Sequence, residues 1–131
     1  MTRDAFVSYA TRDSRRTLLV CAGLQALGIS LWLDTEELTR SRAVWREAVQ
    51  TGIAASRAVL VTLSDEWAAS PACRYELAIA VERRMPLIGV ALGRDPRPSR
   101  ALALLPPDVE IVDAGGSVSR AIDLVGARLA V

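Results

Sequence analysis

Neither histidine nor lysine occurs in this sequence, and that narrows its possible chemistry at once. Without histidine there is no Ser-His-Asp or Cys-His arrangement and no HExxH zinc site. Without lysine there is no Schiff base and no Walker lysine. Cys21 and Cys73, with no histidine to join them, do not suggest a structural metal site. No base is at hand to turn either thiol into a nucleophile. Carboxylates remain, fifteen in all, among them Glu76 in the run Cys73-x-x-Glu76-Leu77. Cys73, Leu77, Ala80 and Val81 form an apolar helical stripe. Glu76 is expected on the edge of that stripe, between core and solvent. Position 80 is alanine, so no cation follows one turn later to pair with Glu76. An ordinary solvated helix glutamate is the plainer alternative.

A carboxylate acts only where the fold delivers it. Ala5–Tyr9 reads as a short buried strand. Asp13 or Ser14 caps a helix that runs to about Leu27 and stops at Gly28. Ile29–Leu33 is a second strand ending at Asp34, and a polar loop over 35–42 follows. Trp45, Val49 and Ile53 recur every four residues and mark a second helix. Ala58–Leu63 is nearly all apolar, as a strand buried on both faces should be. Ser64 caps a helical turn, and Ser70-Pro71 starts a helix that reaches about Arg84. Leu87–Leu92 and Val109–Val112 complete five strands, with a short helix over Arg100–Leu105 between them. Ser117 or Ser119 caps a last helix to about Leu129. This alternation predicts an α/β fold: a flavodoxin-like five-stranded parallel sheet in the order 2-1-3-4-5, with helices on both faces. Ligands of such sheets lie outside the carboxyl ends of the strands, at the switch point between the first and third. The residues facing it follow Tyr9, Asp34 and Ser64.

Several side chains have two readings at that rim. Tyr9, beside Ser8 at the end of the first strand, suits either a ligand ring or phosphate, or a cover for the core. Asp34 suits either ribose hydroxyls or the backbone amides of its own loop. Trp45 suits stacking on a base and equally suits core packing. Trp32 reads as packing, Trp67 either as packing or as a functional aromatic preceding the glutamate helix, and Cys73 as a small buried residue. Arg40 and Arg42 are either phosphate attractors or solvated loop charges. The first helix, apolar nearly all round from Leu18 to Leu27, offers one face to the sheet and another to a partner or to its own loops.

The bulk properties agree with one compact domain. The chain has 131 residues, 51% hydrophobic, with net charge +1, which gives no drive towards nucleic acid or anionic membrane. No apolar run approaches the roughly 20 residues a membrane helix requires, and no signal peptide is visible. Two cysteines fit a reduced, cytoplasmic protein. The usual ligands of this architecture find no cradle. A receiver domain needs an acidic pair after the first strand and a later lysine. A dinucleotide fold needs GxGxxG where Tyr9-Ala10-Thr11-Arg12 stands.

The order and spacing of several short motifs resemble the Toll/interleukin receptor (TIR) family, bacterial type. Asp4-Ala5-Phe6-Val7-Ser8-Tyr9 is similar to its opening strand, D-x-F-[IV]-S-Y. Gly28 through Asp34 is similar to G-x-x-[VL]-[WF]-x-D. Ser56 with Leu60–Ser64 matches the central strand, and Ser70, Cys73, Glu76 and Leu77 resemble S-x-W-C-x-x-E-L. The likeness covers about residues 4 to 92. Two departures stand out. Arg40-Ser41 replaces the loop's usual Pro-Gly, and Ala72 replaces the tryptophan before the cysteine.

The resemblance implies an enzyme that cleaves NAD, with Glu76 as the catalytic carboxylate. NAD is its substrate, and no further cofactor is implied. Ser8, Tyr9, Asp34, Trp45 and Cys73 are the implied substrate-binding residues. It also implies activation by self-association through the loop containing Leu38, Arg40, Ser41 and Arg42, in antiphage defence or cell-death signalling. A sensor domain elsewhere in a longer protein is the expected driver of assembly. The alternative is a scaffold that recruits other TIR domains without chemistry.

Overall fold

The computed structural model describes residues 2–33 and 41–130. Asp34, Leu38 and Arg40 lie outside the described residues. The strands are β1 (Ala5–Ser8), β2 (Leu31–Trp32), β3 (Val59–Leu63), β4 (Leu87–Ala91) and β5 (Glu110–Val112). They form one parallel sheet in the order β2-β1-β3-β4-β5. The helices are α1 (Ser14–Ala26), α2 (Arg42–Ala54), α3 (Asp65–Ala69), α4 (Pro71–Glu82), α5 (Ser99–Leu104) and α6 (Val118–Leu129), with a 3₁₀ turn at Thr11–Asp13 before α1. The order predicted from the sequence is the order found, and the winding of successive strands across the parallel sheet reverses between β1 and β3.

Strand alternation divides the interior into two layers. Ala5, Val7, Leu60 and Val90 face α1 and α6, while Phe6, Val59, Val61 and Leu63 face α2, α3 and α4. β3 is buried at all five positions, which explains its almost continuous apolar run. Buried Thr62 breaks that run and is satisfied: Thr17 of α1 shares a hydrogen bond with its hydroxyl at 3.2 Å.

Caps set the helix ends where the sequence signals them. The hydroxyls of Ser64, Ser70 and Ser117 accept from the backbone amides of Trp67, Cys73 and Arg120, satisfying donors that a helix start leaves open. Gly28 ends α1 at φ 85°. Its amide bonds Gln25 O at 2.9 Å, and that of Ile29 bonds Leu24 O at 3.1 Å, the paired bonds of a Schellman stop. β2 is shorter than expected. Ile29 and Ser30 connect the glycine stop to the edge, and only Leu31 and Trp32 pair with Ala5 and Phe6.

Asp4, the first residue of the D-x-F-V-S-Y stretch, belongs to the end of the sheet away from the carboxyl rim. Its Oδ2 accepts from the Ser30 amide at 2.8 Å, and its Oδ1 pairs with Arg57. The Ser30 backbone bond first, then Arg57, hold its carboxyl below the ordinary value. This residue is a clasp between β1, β2 and β3.

The stop after α4 repeats the geometry of Gly28 with the wrong residue type for comfort. Arg84 adopts φ 56°. Its amide bonds Val81 O at 3.0 Å, and the Met85 amide bonds Ala80 O at 2.9 Å. A Cβ in the left-handed region is strained, and glycine removes the strain while adding freedom to the unfolded chain. Arg84→Gly is therefore expected to stabilise the fold by about 0.5–1 kcal/mol, measured as a higher urea midpoint at unchanged slope.

Candidate functional site

Three elements meet at the carboxyl end of β1. Ser8 is the last residue of that strand, in register with Val61 of β3. Ser64 caps α3 and directs Trp67 inward. Ser70 caps α4, with Pro71 at its first position, and the helix turns Glu76 towards the same point. The Ser8 hydroxyl donates to Glu76 Oε1 at 2.6 Å, and Trp67 Nε1 donates to Ser8 Oγ at 3.0 Å. Ser8, Trp67 and Glu76 are 1%, 0% and 4% exposed. A glutamate side chain is seldom so buried unless it is hydrogen-bonded, and the Ser8 bond supplies a short contact of that kind.

Glu76 thus lies within the buried stripe and not on its edge. The buried face of α4 is Cys73, Glu76, Leu77 and Ala80, whereas Val81 is 45% exposed. The apolar spacing fixes the face of a helix only to within about one residue, or 100° of rotation. The ends of β1 and α3 pack on the Glu76 side and decide the question.

The other candidates are distributed around this centre. Tyr9 packs against the opposite core layer, with α1 and α6, because consecutive residues at a strand end face opposite ways. Cys73 is buried beside Glu76 in the α2–α4 layer. Trp45 packs in that layer too, with its ring 5.5 Å from that of Tyr75. Its Nε1 is buried and has no hydrogen-bond partner among the described residues. Ser41 caps α2, accepting from the Val44 amide at 3.3 Å. Exposed Arg42 opens that helix. Trp32 is half-buried and stacks on Phe6 at 4.8 Å. Trp67 both packs in the core and donates to Ser8. The available signal is its place three residues after the capping Ser64 and nine before Glu76.

A cleft of about 500 Å³ opens between the starts of α2 and α4, lined by Arg42, Trp45, Arg46, Ser70, Ala72 and Tyr75, with Pro71 at its edge. Helices that follow parallel strands begin at the carboxyl end of the sheet, so this cleft lies on the same rim as Glu76. Arg46 lies over the Tyr75 ring at 5.2 Å, and Gln50 donates to the Tyr75 hydroxyl at 2.8 Å. Ala72 leaves room in the wall of this cleft. A larger cleft of about 800 Å³ lies at the opposite end of the strands, around Asp4, Arg57, Pro86 and Val109. Its Arg57–Asp4 and Arg128–Glu110 ion pairs tie the frame together at the end of the sheet away from Glu76.

Asp13 completes the rim. The Ser64 hydroxyl donates to its Oδ2 at 2.5 Å. Burial first, and repulsion from Glu66, raise its carboxyl above the ordinary 3.8, against the lowering effect of the Ser64 bond. The folded chain therefore holds this proton more tightly than the unfolded chain. Stability is lost as pH rises from about the ordinary value through the raised one. Asp13→Asn keeps an acceptor for Ser64 without the charge. It is expected to be more stable than the parent at pH 7 and to lose that advantage at pH 3, read from urea midpoints at the two pH values.

Residues 5–125 match the family model of the TIR domain. The chain belongs to the TIR domain family. Its fold is similar to the TIR domain of the Toll-related receptor TRR-2 from Hydra magnipapillata, with a TM-score of 0.74 at 14% identity over 99% of this chain and 100% of that one. It is also similar to TIR domains in the activated Roq1 resistosome that recognises the pathogen effector XopQ, with a TM-score of 0.68 at 19% identity over 98% and 99% of the two chains. No curated protein matches this sequence. Among the described residues, no helix of this TIR domain is long and apolar enough to cross a membrane.

Proposed function

We propose that this TIR domain cleaves NAD between nicotinamide and ribose, with Glu76 as the catalytic carboxylate. One observation supports this above the others: the Glu76 side chain turns inward to the carboxyl end of β1, where the Ser8 hydroxyl meets it at 2.6 Å. A merely solvated helix glutamate has no such place. The chemistry needs neither histidine nor metal. The C1′–N bond breaks with its electron pair going to the pyridinium nitrogen, so nicotinamide leaves neutral and needs no proton. Positive charge builds on the ribose, as in glycoside hydrolysis, and a fixed carboxylate nearby stabilises it. Water then adds at C1′ and releases a proton, giving ADP-ribose, or a nucleophile within the same molecule closes a cyclic isomer.

Self-association is the proposed trigger. Resemblance of fold to TIR domains taken from an activated resistosome supports an assembly as the working form, and the segment before α2 is the proposed contact. Antiphage defence or cell-death signalling is the proposed setting, with a sensor domain driving assembly. The test is NAD incubated with the domain fused to an oligomerising scaffold, followed by chromatography. Nicotinamide with ADP-ribose or its cyclic isomer is the expected product. Ser41 and Ala72 favour a second reading, a TIR–TIR scaffold without chemistry, and complete absence of product from the assembled form would select it.

A further inference from the structure

We propose that Trp67 is a positioning residue for Glu76, acting through Ser8. The inference rests on the reading of Glu76 as the catalytic carboxylate, and its argument lies in the direction of two hydrogen bonds. An indole N–H donates and cannot accept, and the Ser8 hydroxyl donates to the Glu76 carboxyl. Ser8 lies between them, with Trp67 Nε1 at 3.0 Å on one side and Glu76 Oε1 at 2.6 Å on the other. The chain therefore runs one way: indole N–H to serine oxygen, serine O–H to carboxylate. Trp67 occupies one acceptor site of the serine oxygen and so leaves its proton aimed at Glu76. Without that donor the hydroxyl can rotate, and its proton has other acceptors to seek.

Each end of the chain is anchored by its own element. Trp67 is fully buried in α3, whose start is held by the Ser64 cap at 2.9 Å. The α3–α4 pair is tied by Arg74, which donates to Ala68 O at 2.8 Å. Ser8 is fixed by the β1–β3 ladder. The carboxylate is thus oriented by groups on a strand and on a separate helix, so it does not depend on the rotamer preference of α4 alone. Bonds in such a row polarise one another, and a change at Glu76 should be felt at the indole.

Two readouts test this, and the first needs no catalysis. Each of the three tryptophans gives one indole N–H signal in a ¹⁵N–¹H spectrum, and Trp67→Phe assigns one of them by removing it. Ser8→Ala and Glu76→Gln are each expected to move the Trp67 signal upfield while those of Trp32 and Trp45 hold still. A Trp67 signal unmoved by Glu76→Gln would overturn the coupling. The second readout is kinetic, on the scaffold-assembled domain. Trp67→Phe keeps an aromatic ring and loses the donor, so kcat is expected to fall about fivefold, the scale of one neutral hydrogen bond, with KM unchanged. In a Ser8→Ala background the same substitution should change nothing further. A full-sized loss that persists without Ser8, or a loss confined to KM, would reduce Trp67 to packing. If the assembled parent releases no nicotinamide, the reading of Glu76 as catalytic fails by itself, and the indole shifts still decide whether Trp67 orients it.

Discussion

Glu76→Gln is expected to lower nicotinamide release from NAD by about a hundredfold or more while leaving the fold intact. Glutamine has nearly the same shape and keeps an oxygen for the Ser8 hydroxyl, so the meeting of β1, α3 and α4 survives. The lost quantity is the negative charge that the ribosyl cation needs. Glu76→Asp makes the complementary change. It keeps the charge and shortens the side chain by one methylene, which withdraws the carboxylate from Ser8, now 2.6 Å away. Displacement of a catalytic group by about 1 Å can cost on the order of a hundredfold in rate, so this variant too is expected to fall far below the parent. Chromatographic release rates at saturating NAD, alongside circular dichroism to show native folds, check both. A Glu76→Asp enzyme as active as the parent would show that charge matters without position.

Gly52→Ala is expected to destabilise the domain by about 2 kcal/mol. A Cβ at position 52 would meet the Trp32 ring at 2.5, 2.6 and 3.0 Å. That ring is held by its stacking on fully buried Phe6 at 4.8 Å and 16°. The exchange also has a favourable part, since alanine is the better helix former by about 1 kcal/mol, but overlap with a rigid aromatic outweighs it. Gly23 makes the contrast. A Cβ there meets the Ile122 side chain, its nearest atom the terminal Cδ1, and a flexible chain end can move. Urea unfolding of Gly52→Ala gives the size of the effect, and Trp32→Leu in the same background should recover part of it by making room for the methyl group.

The frame of this TIR domain is legible in its sequence because local signals agree with one another. Ser64, Ser70 and Ser117 each stand before an apolar helical pattern, Gly28 stands after one, and the buried run of β3 has nowhere to go but the middle of a sheet. The same local rules reach the site only in part. Alternation along β1 puts Ser8 on the Phe6 side and Tyr9 on the Val7 side, so the two adjacent candidates part company. The rotation of α4 is finer than its spacing conveys, and contacts with β1 and α3 turn Glu76 into the core. The donor role of Trp67 is a three-dimensional property. The sequence shows an aromatic after a cap, and the fold alone shows that its N–H meets a strand-end hydroxyl.

The stability of the frame and the chemistry of the rim are linked through that hydroxyl. Ser8 and Glu76 are both buried beside the α2–α4 layer, and each satisfies a polar atom of the other. The proposed function needs this carboxylate to meet a cleft that is completed when domains assemble. The measurement that bears most directly on it is the amount of nicotinamide produced per chain by the scaffold-assembled parent in excess NAD. The account predicts many equivalents per chain, with little from the same domain kept dilute and monomeric. A folded, assembled domain that leaves NAD whole would contradict it.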